Sequence, residues 1–154
     1  MIREPLIRLR GELEKELKDN ILSFWMKHLP DEEHGGFHGH VTHDNRVREQ
    51  APRGAVQNAR ILWTFSAAYR AYGDRDYLRM ADRAYRYILG HFMDQEWGGV
   101  YWELDAQGKV TSARKQIYAI AFMVYALTEY HLARGTAEKL PGDKGVKLIT
   151  GACA

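Results

Sequence analysis

The stretch DEEHGGFHGHVTH gathers four histidines, His34, His38, His40 and His43. On an extended strand His38 and His40 would share one face, a spacing that metal ligands can use. The polar rim of a loop is the better reading. A second copy of the stretch, DQEWGGVYWELDA, carries Trp97, Tyr101, Glu103 and Ala106 at the equivalent places. A metal is therefore not something the repeated scaffold requires, and none is expected. Glu33, Glu96 and Glu103 offer carboxylates of the kind that hydrolases use in pairs. Capping the Gly-Gly turns, or pairing with arginine, is the simpler role.

Two further sets of polar residues sit in apolar surroundings. Gln57, Arg60 and Thr64 fall at i, i+3 and i+7, one face of a helix. Lys115, Tyr118, Phe122 and Tyr125 make a similar stripe further on. An unpaired buried charge is costly. Arg60 must therefore have a carboxylate partner, reach solvent or face a ligand cavity. Tyr118 alone reads more readily as a core tyrosine with a satisfied hydroxyl. No nucleophile elbow, P-loop or dinucleotide fingerprint is present.

These residues are carried by a repeat. DEEHGGFHGHVTHDNRV from Asp31 aligns with DQEWGGVYWELDAQGKV from Asp94, 63 residues on. Asp31/Asp94, Glu33/Glu96, Gly35/Gly98, Gly36/Gly99 and Val47/Val110 coincide, and Gly73 matches Gly135 with a one-residue slip. Such a period implies an array of one supersecondary unit. Each unit opens with an amphipathic helix. Leu6, Leu9, Leu13, Leu17, Ile21 and Phe24 form the first stripe, and Tyr77, Met80, Ala81, Ala84 and Ile88 the second, with Asp74 as N-cap. The glycine pair then allows positive φ and a tight reversal. Short strands follow, with turns at His43–Arg46 and Asp105–Gly108, so each unit should hold a β-hairpin. Last comes a helix apolar on nearly all sides, ending at Gly73 or Gly135 as C′ caps. The fold expected from the repeat is all-α, about two helix–hairpin–helix units of a two-layer helical ring or solenoid, with short β-hairpins in the loops.

Composition narrows the function. The chain has 154 residues, enough for one domain with a core. Its 22 basic and 20 acidic side chains give a net charge of +2, which favours neither nucleic acid nor an anionic membrane. No apolar run is long enough to span a bilayer. The charged N-terminus is not a secretory signal, and the lone Cys153 can form no internal disulfide, so a cytoplasmic location is expected. Nine Tyr and four Trp suit either helix packing or a sugar-binding surface.

APRGAVQNARILWTFSAAYRAYG, WGGVYWELDAQGKV and RKQIYAIAFMVYALTEYH resemble the N-terminal part of the cellobiose 2-epimerase branch of the N-acylglucosamine 2-epimerase superfamily. The resemblance runs from about Leu9 to Gly135. It implies an (α/α)6 barrel of alternating outer and inner helices. It also implies inversion at C2 of the reducing-end glucose of a β-1,4 disaccharide such as cellobiose or lactose, without metal or organic cofactor. Two histidines would pass the C2 proton through a cis-enediolate; histidine suits this because its pKa lies near working pH. By the same resemblance the Arg of NARILW, Arg60, and the Tyr of the Lys-x-x-Tyr helix, Tyr118, line the sugar pocket. The rings of EWGGVYW would stand at its rim.

The departures bear on activity. None of the seven histidines matches a catalytic position implied by the resemblance, so no catalytic residue is expected here. Six units of this length would need roughly 380 residues. Residues 1–135 are expected to be the N-terminal part of the barrel, and 136–154 a divergent, disordered tail. The chain reads as truncated and inactive alone, with association through exposed inner helices. Other readings are a non-catalytic sugar-binding module, a helical unit that completes a barrel, or another superfamily activity such as N-acylglucosamine 2-epimerase or mannose isomerase. A related glycoside hydrolase would need a carboxylate pair that the sequence does not mark.

Overall fold

The computed structural model describes residues 3–137. Helix α1, Arg3–Lys15, runs through a π-helical stretch, Glu16–Leu22, into α2, Ser23–His28. Strand β1, Arg53–Gly54, leads into α3, Ala55–Tyr72. Helix α4, Arg75–Tyr87, ends in a π-turn, Ile88–Phe92. Strands β2, Glu103–Leu104, and β3, Val110–Ser112, precede α5, Ile117–Ala137. Among the described residues no helix is long and apolar enough to cross a membrane.

Helix α3 is the centre. It packs against both α4 and α5. Its buried residues Ala55, Ala59, Leu62, Ser66 and Tyr69 recur every three or four positions. Helix α5 answers with Ala119, Met123, Ala126, Tyr130 and Ala133 in the same rhythm. Small residues dominate both stripes, which allows the backbones to approach closely. Asp74 caps α4 by accepting from the Asp76 N–H at 2.9 Å, and Gly73 closes α3 at φ +72°, both as expected. Gly135 does not end its helix. It lies inside α5, which runs on to Ala137, so the first two residues of the expected 136–154 tail continue the helix, and the rest of it, 138–154, falls outside the described residues.

The two units share their loop backbone. In the first, the Asp31 N–H donates to Gly36 O and His38 N–H to Leu29 O; in the second, Asp94 donates to Gly99 and Tyr101 to Phe92. Bridges Pro30–Phe37 and Met93–Val100 coincide as well. All four glycines of the pairs have positive φ, between 62° and 76°.

The hairpins differ from expectation. The first reduces to one bridge, Val41–Val47, with its turn at Thr42–Asn45, one residue early. The second forms β2 and β3 about the Asp105–Gly108 turn. β1 then adds to β2, with Arg53 opposite Leu104, to give an antiparallel three-stranded sheet in the order β1-β2-β3. A strand from before α3 thus pairs with the loop before α5.

The expected first stripe is mostly exposed. Leu6, Leu9 and Leu13 on α1 and Ile21 beyond it are exposed, Leu17 and Phe24 are half-buried, and the first buried residue among those described is Leu22, outside the stripe. Nor is α5 covered all round: Ile117 is 84% and Val124 61% exposed, because nothing described packs on that side.

Candidate functional site

The clasp that shapes the loops centres on Arg53. It comes from β1 and is fully buried. Its guanidinium donates to Gly35 O at 2.6 Å, to Ala106 O at 2.6 Å and to the Asp31 carboxylate, and it lies over the Tyr87 ring. One side chain therefore ties the first Gly-Gly turn to the turn of the second hairpin. Asp31 also caps its own turn, accepting from the Glu33 and His34 N–H groups at 2.9 Å. Burial pushes the Asp31 carboxyl up. The two N–H bonds and the charge of Arg53 outweigh that and hold it below the usual carboxylate range.

Asp94 repeats the arrangement with a different cation. Its Oδ1 accepts from the Glu96 and Trp97 N–H groups at 3.0 Å, and its Oδ2 from Lys115 Nζ at 2.7 Å. The Lys115 hydrogen bond, with the Trp97 N–H behind it, lowers its pKa to about 2. The capping role expected of Glu33 and Glu96 thus falls to Asp31 and Asp94. Both glutamates are exposed, and Glu103 accepts from Thr111 Oγ1 at 2.9 Å. The signal was present in the repeat, where each aspartate stands four residues before its glycine pair. Nothing local marked Arg53.

The histidines do not form one site. His34 and His38 turn Nδ1 toward Asp31 Oδ2, at 3.4 and 3.7 Å, whereas His40 and His43 are exposed. Among the described residues no three His, Cys, Asp or Glu side chains gather as metal ligands.

A cleft of about 570 Å³ opens between α3 and the segment leading into α2. Ile21, Trp25 and Phe65 give it apolar walls; Gln57, Arg60 and Thr64 supply the polar groups. The face read from the i, i+3, i+7 spacing is therefore real. Arg60 is exposed within the cleft, and no carboxylate among the described residues pairs with it. The salt-bridge alternative finds no partner among the described residues. Its planar donors stand free on an apolar floor, which suits hydroxyl or carboxylate oxygens. Trp25 was missed as a wall because its spacing marks only an outer helix.

Tyr118 stands elsewhere. It lies on the first turn of α5, 61% exposed and edge-on to Phe122 at 4.9 Å, and is not among the residues lining the Arg60 cleft. The stripe expected with it is divided. Lys115 holds Asp94, and Tyr125 stacks on Trp63 at 5.3 Å.

Residues 35–149 match the model of the N-acylglucosamine 2-epimerase (GlcNAc 2-epimerase) family. The chain belongs to this family. It is 49% identical over 132 residues to the cellobiose 2-epimerase of Bacteroides fragilis, a span covering 86% of this chain and 34% of that protein. It is 41% identical over 130 residues to the cellobiose 2-epimerase of Ruminococcus albus, covering 84% of this chain and 33% of that one. The solved structure of cellobiose 2-epimerase from Spirochaeta thermophila superposes with a TM-score of 0.83 at 39% identity, over 90% of this chain and 34% of that chain. The chain thus spans about a third of the length of the relatives it matches. Its architecture is a partial (α/α)6 barrel, with α3 and α5 as inner helices and α1, α2 and α4 as outer ones.

Proposed function

We propose that this chain is the N-terminal portion of a carbohydrate 2-epimerase. It would act on the reducing-end glucose of cellobiose-type β-1,4 disaccharides and yield a terminal mannose. Kinship with the cellobiose 2-epimerases supports the substrate class. The observation that carries the site is Arg60, a guanidinium in an amphipathic cleft that no carboxylate among the described residues pairs with. Sugar hydroxyl oxygens can accept charge-assisted hydrogen bonds from such a group. Tyr118 is proposed as a second sugar contact, from the end of the neighbouring inner helix.

The chemistry needs a proton acceptor on one face of C2 and a donor on the other, with histidine best matched to both steps. No histidine lines the Arg60 cleft. His34 and His38 instead face Asp31, within the loop clasp. We therefore propose that the 154-residue chain binds sugar but does not epimerise it. Incubation with cellobiose in deuterated water tests this. Neither deuterium at C2 nor a mannose reducing end is expected, and appearance of either refutes it.

A second reading, a helical module that completes a barrel, rests on the open side of α5. Association through that face is proposed for the isolated chain. A cytoplasmic setting fits the single cysteine, Cys153.

A further inference from the structure

Gln57 shares the cleft with Arg60, three positions earlier on α3. At that spacing two helical side chains are neighbours, with Cβ atoms about 5–6 Å apart. The Gln57 amide is not free to turn. Its Nε2 donates to the backbone oxygen of His38 at 3.1 Å. A carbonyl oxygen only accepts, so the nitrogen must face His38 and the amide oxygen must face away from it. His38 in turn belongs to the loop clasped by Asp31 and Arg53, so this orientation is tied to the fold. Gln57 Oε1 accepts no hydrogen bond from the described residues. The cleft therefore presents a fixed acceptor beside a guanidinium that can only donate.

We propose that Gln57 is a specificity-determining residue for the sugar site, reading one hydroxyl of a vicinal diol by accepting its proton while Arg60 donates to the adjacent hydroxyl. This rests on the sugar-binding reading given above. The geometry suits a diol because each hydroxyl both gives and takes a hydrogen bond, and neighbouring hydroxyls lie within the reach of an i, i+3 pair. Trp25 and Phe65 supply apolar walls for the C–H faces of the ring. An ether or a deoxy carbon in place of the hydroxyl facing Gln57 would leave Oε1 desolvated without a donor, the costly case for a polar group.

The test is titration calorimetry of the full chain with cellobiose and a set of its monodeoxy analogues, for wild type, Gln57→Leu and Gln57→Met. In wild type at least two analogues should bind about five- to tenfold more weakly than cellobiose, one for each hydroxyl of the pair. In both Gln57 variants the penalty of one analogue should vanish while that of its neighbour persists. A purely structural role would weaken all ligands alike. Circular dichroism confirms folding, and two replacements guard against one that fails to fold. Unchanged penalties in a folded variant overturn the role of Gln57 and leave the sugar site standing. Absence of any cellobiose binding to the wild-type chain overturns both.

Discussion

Lys115 Nζ lies 2.7 Å from Asp94 Oδ2, and it is this contact that separates the second Gly-Gly turn from the first, where Arg53 takes the same role toward Asp31. The two cations are not interchangeable in consequence. Lys115 is partly exposed, donates one hydrogen bond among the described residues and lies over the Tyr101 ring, whereas Arg53 is buried and bridges two loops.

The first prediction concerns acid stability. The pKa of Asp94 is depressed to about 2 when folded, against about 3.9 for an unfolded aspartate. A depressed carboxylate contributes stability that is complete above the unfolded pKa and lost as pH falls through the folded one. The Asp94 contribution should thus fade between about pH 4 and 2. Replacing Lys115 by Met removes the largest cause, so acid unfolding should begin at higher pH than in wild type. Ellipticity at 222 nm against pH measures the shift.

Arg53→Met should be far more damaging than Lys115→Met. It removes three hydrogen bonds and strands the buried carboxylate of Asp31. Breaking a buried pair from one side costs about 3–5 kcal/mol. Urea denaturation should place the variant near the limit of folding, and Arg53→Lys should restore only part of the loss, since an ammonium cannot reach three acceptors in one plane.

Glycine replacements should rank by what a Cβ would meet. At Gly98 it meets open space, so Gly98→Ala bears only the positive φ of 71°, about 1–3 kcal/mol. At Gly36 it would meet the Tyr87 ring at 2.5 Å, and at Gly39 the backbone oxygen of Pro52 at 2.0 Å. Gly36→Ala and Gly39→Ala should therefore lower the melting temperature further than Gly98→Ala. Calorimetric melts of the three variants check the order.

The outer side of α5 should govern association. Ile117, Ala121, Val124 and Thr128 recur at the spacing of the buried α3 residues Ala55, Ala59, Leu62 and Ser66, one unit earlier. In α3 that rhythm is covered; in α5 it is open. Glutamate at Ile117 and Val124 should raise the monomer fraction in sedimentation velocity without loss of helix. Unchanged association would place the contact elsewhere, with the exposed α1 leucines the next to test.

Much of this architecture could be read in one dimension. The 63-residue offset predicted that two loops share one backbone, and the same hydrogen bonds recur in both. Caps at Gly73 and Asp74 follow from residues within one turn of the helix end. The face shared by Gln57, Arg60 and Thr64 follows from helical spacing. Each depends on chemistry among neighbours in sequence, where the backbone itself sets the distances.

The choices that sequence left open all involve distant partners. Arg53 reaches back 22 residues to Asp31 and forward 53 to Ala106, and no local pattern carries that information. Nor does any local pattern tell β1 to join the hairpin of the next unit. Whether Arg60 meets a carboxylate or an open cleft, and whether Tyr118 shares that cleft, depends on how α2, α3 and α5 pack. The sequence by itself determined the repeat, its helices and its reversals, because these arise from short-range sterics and hydrogen bonding. Only the tertiary structure decided which charges, such as Arg53 and Asp31, are committed to the fold and which, such as Arg60, meet no carboxylate among the described residues, because that is settled by burial among residues far apart in the chain.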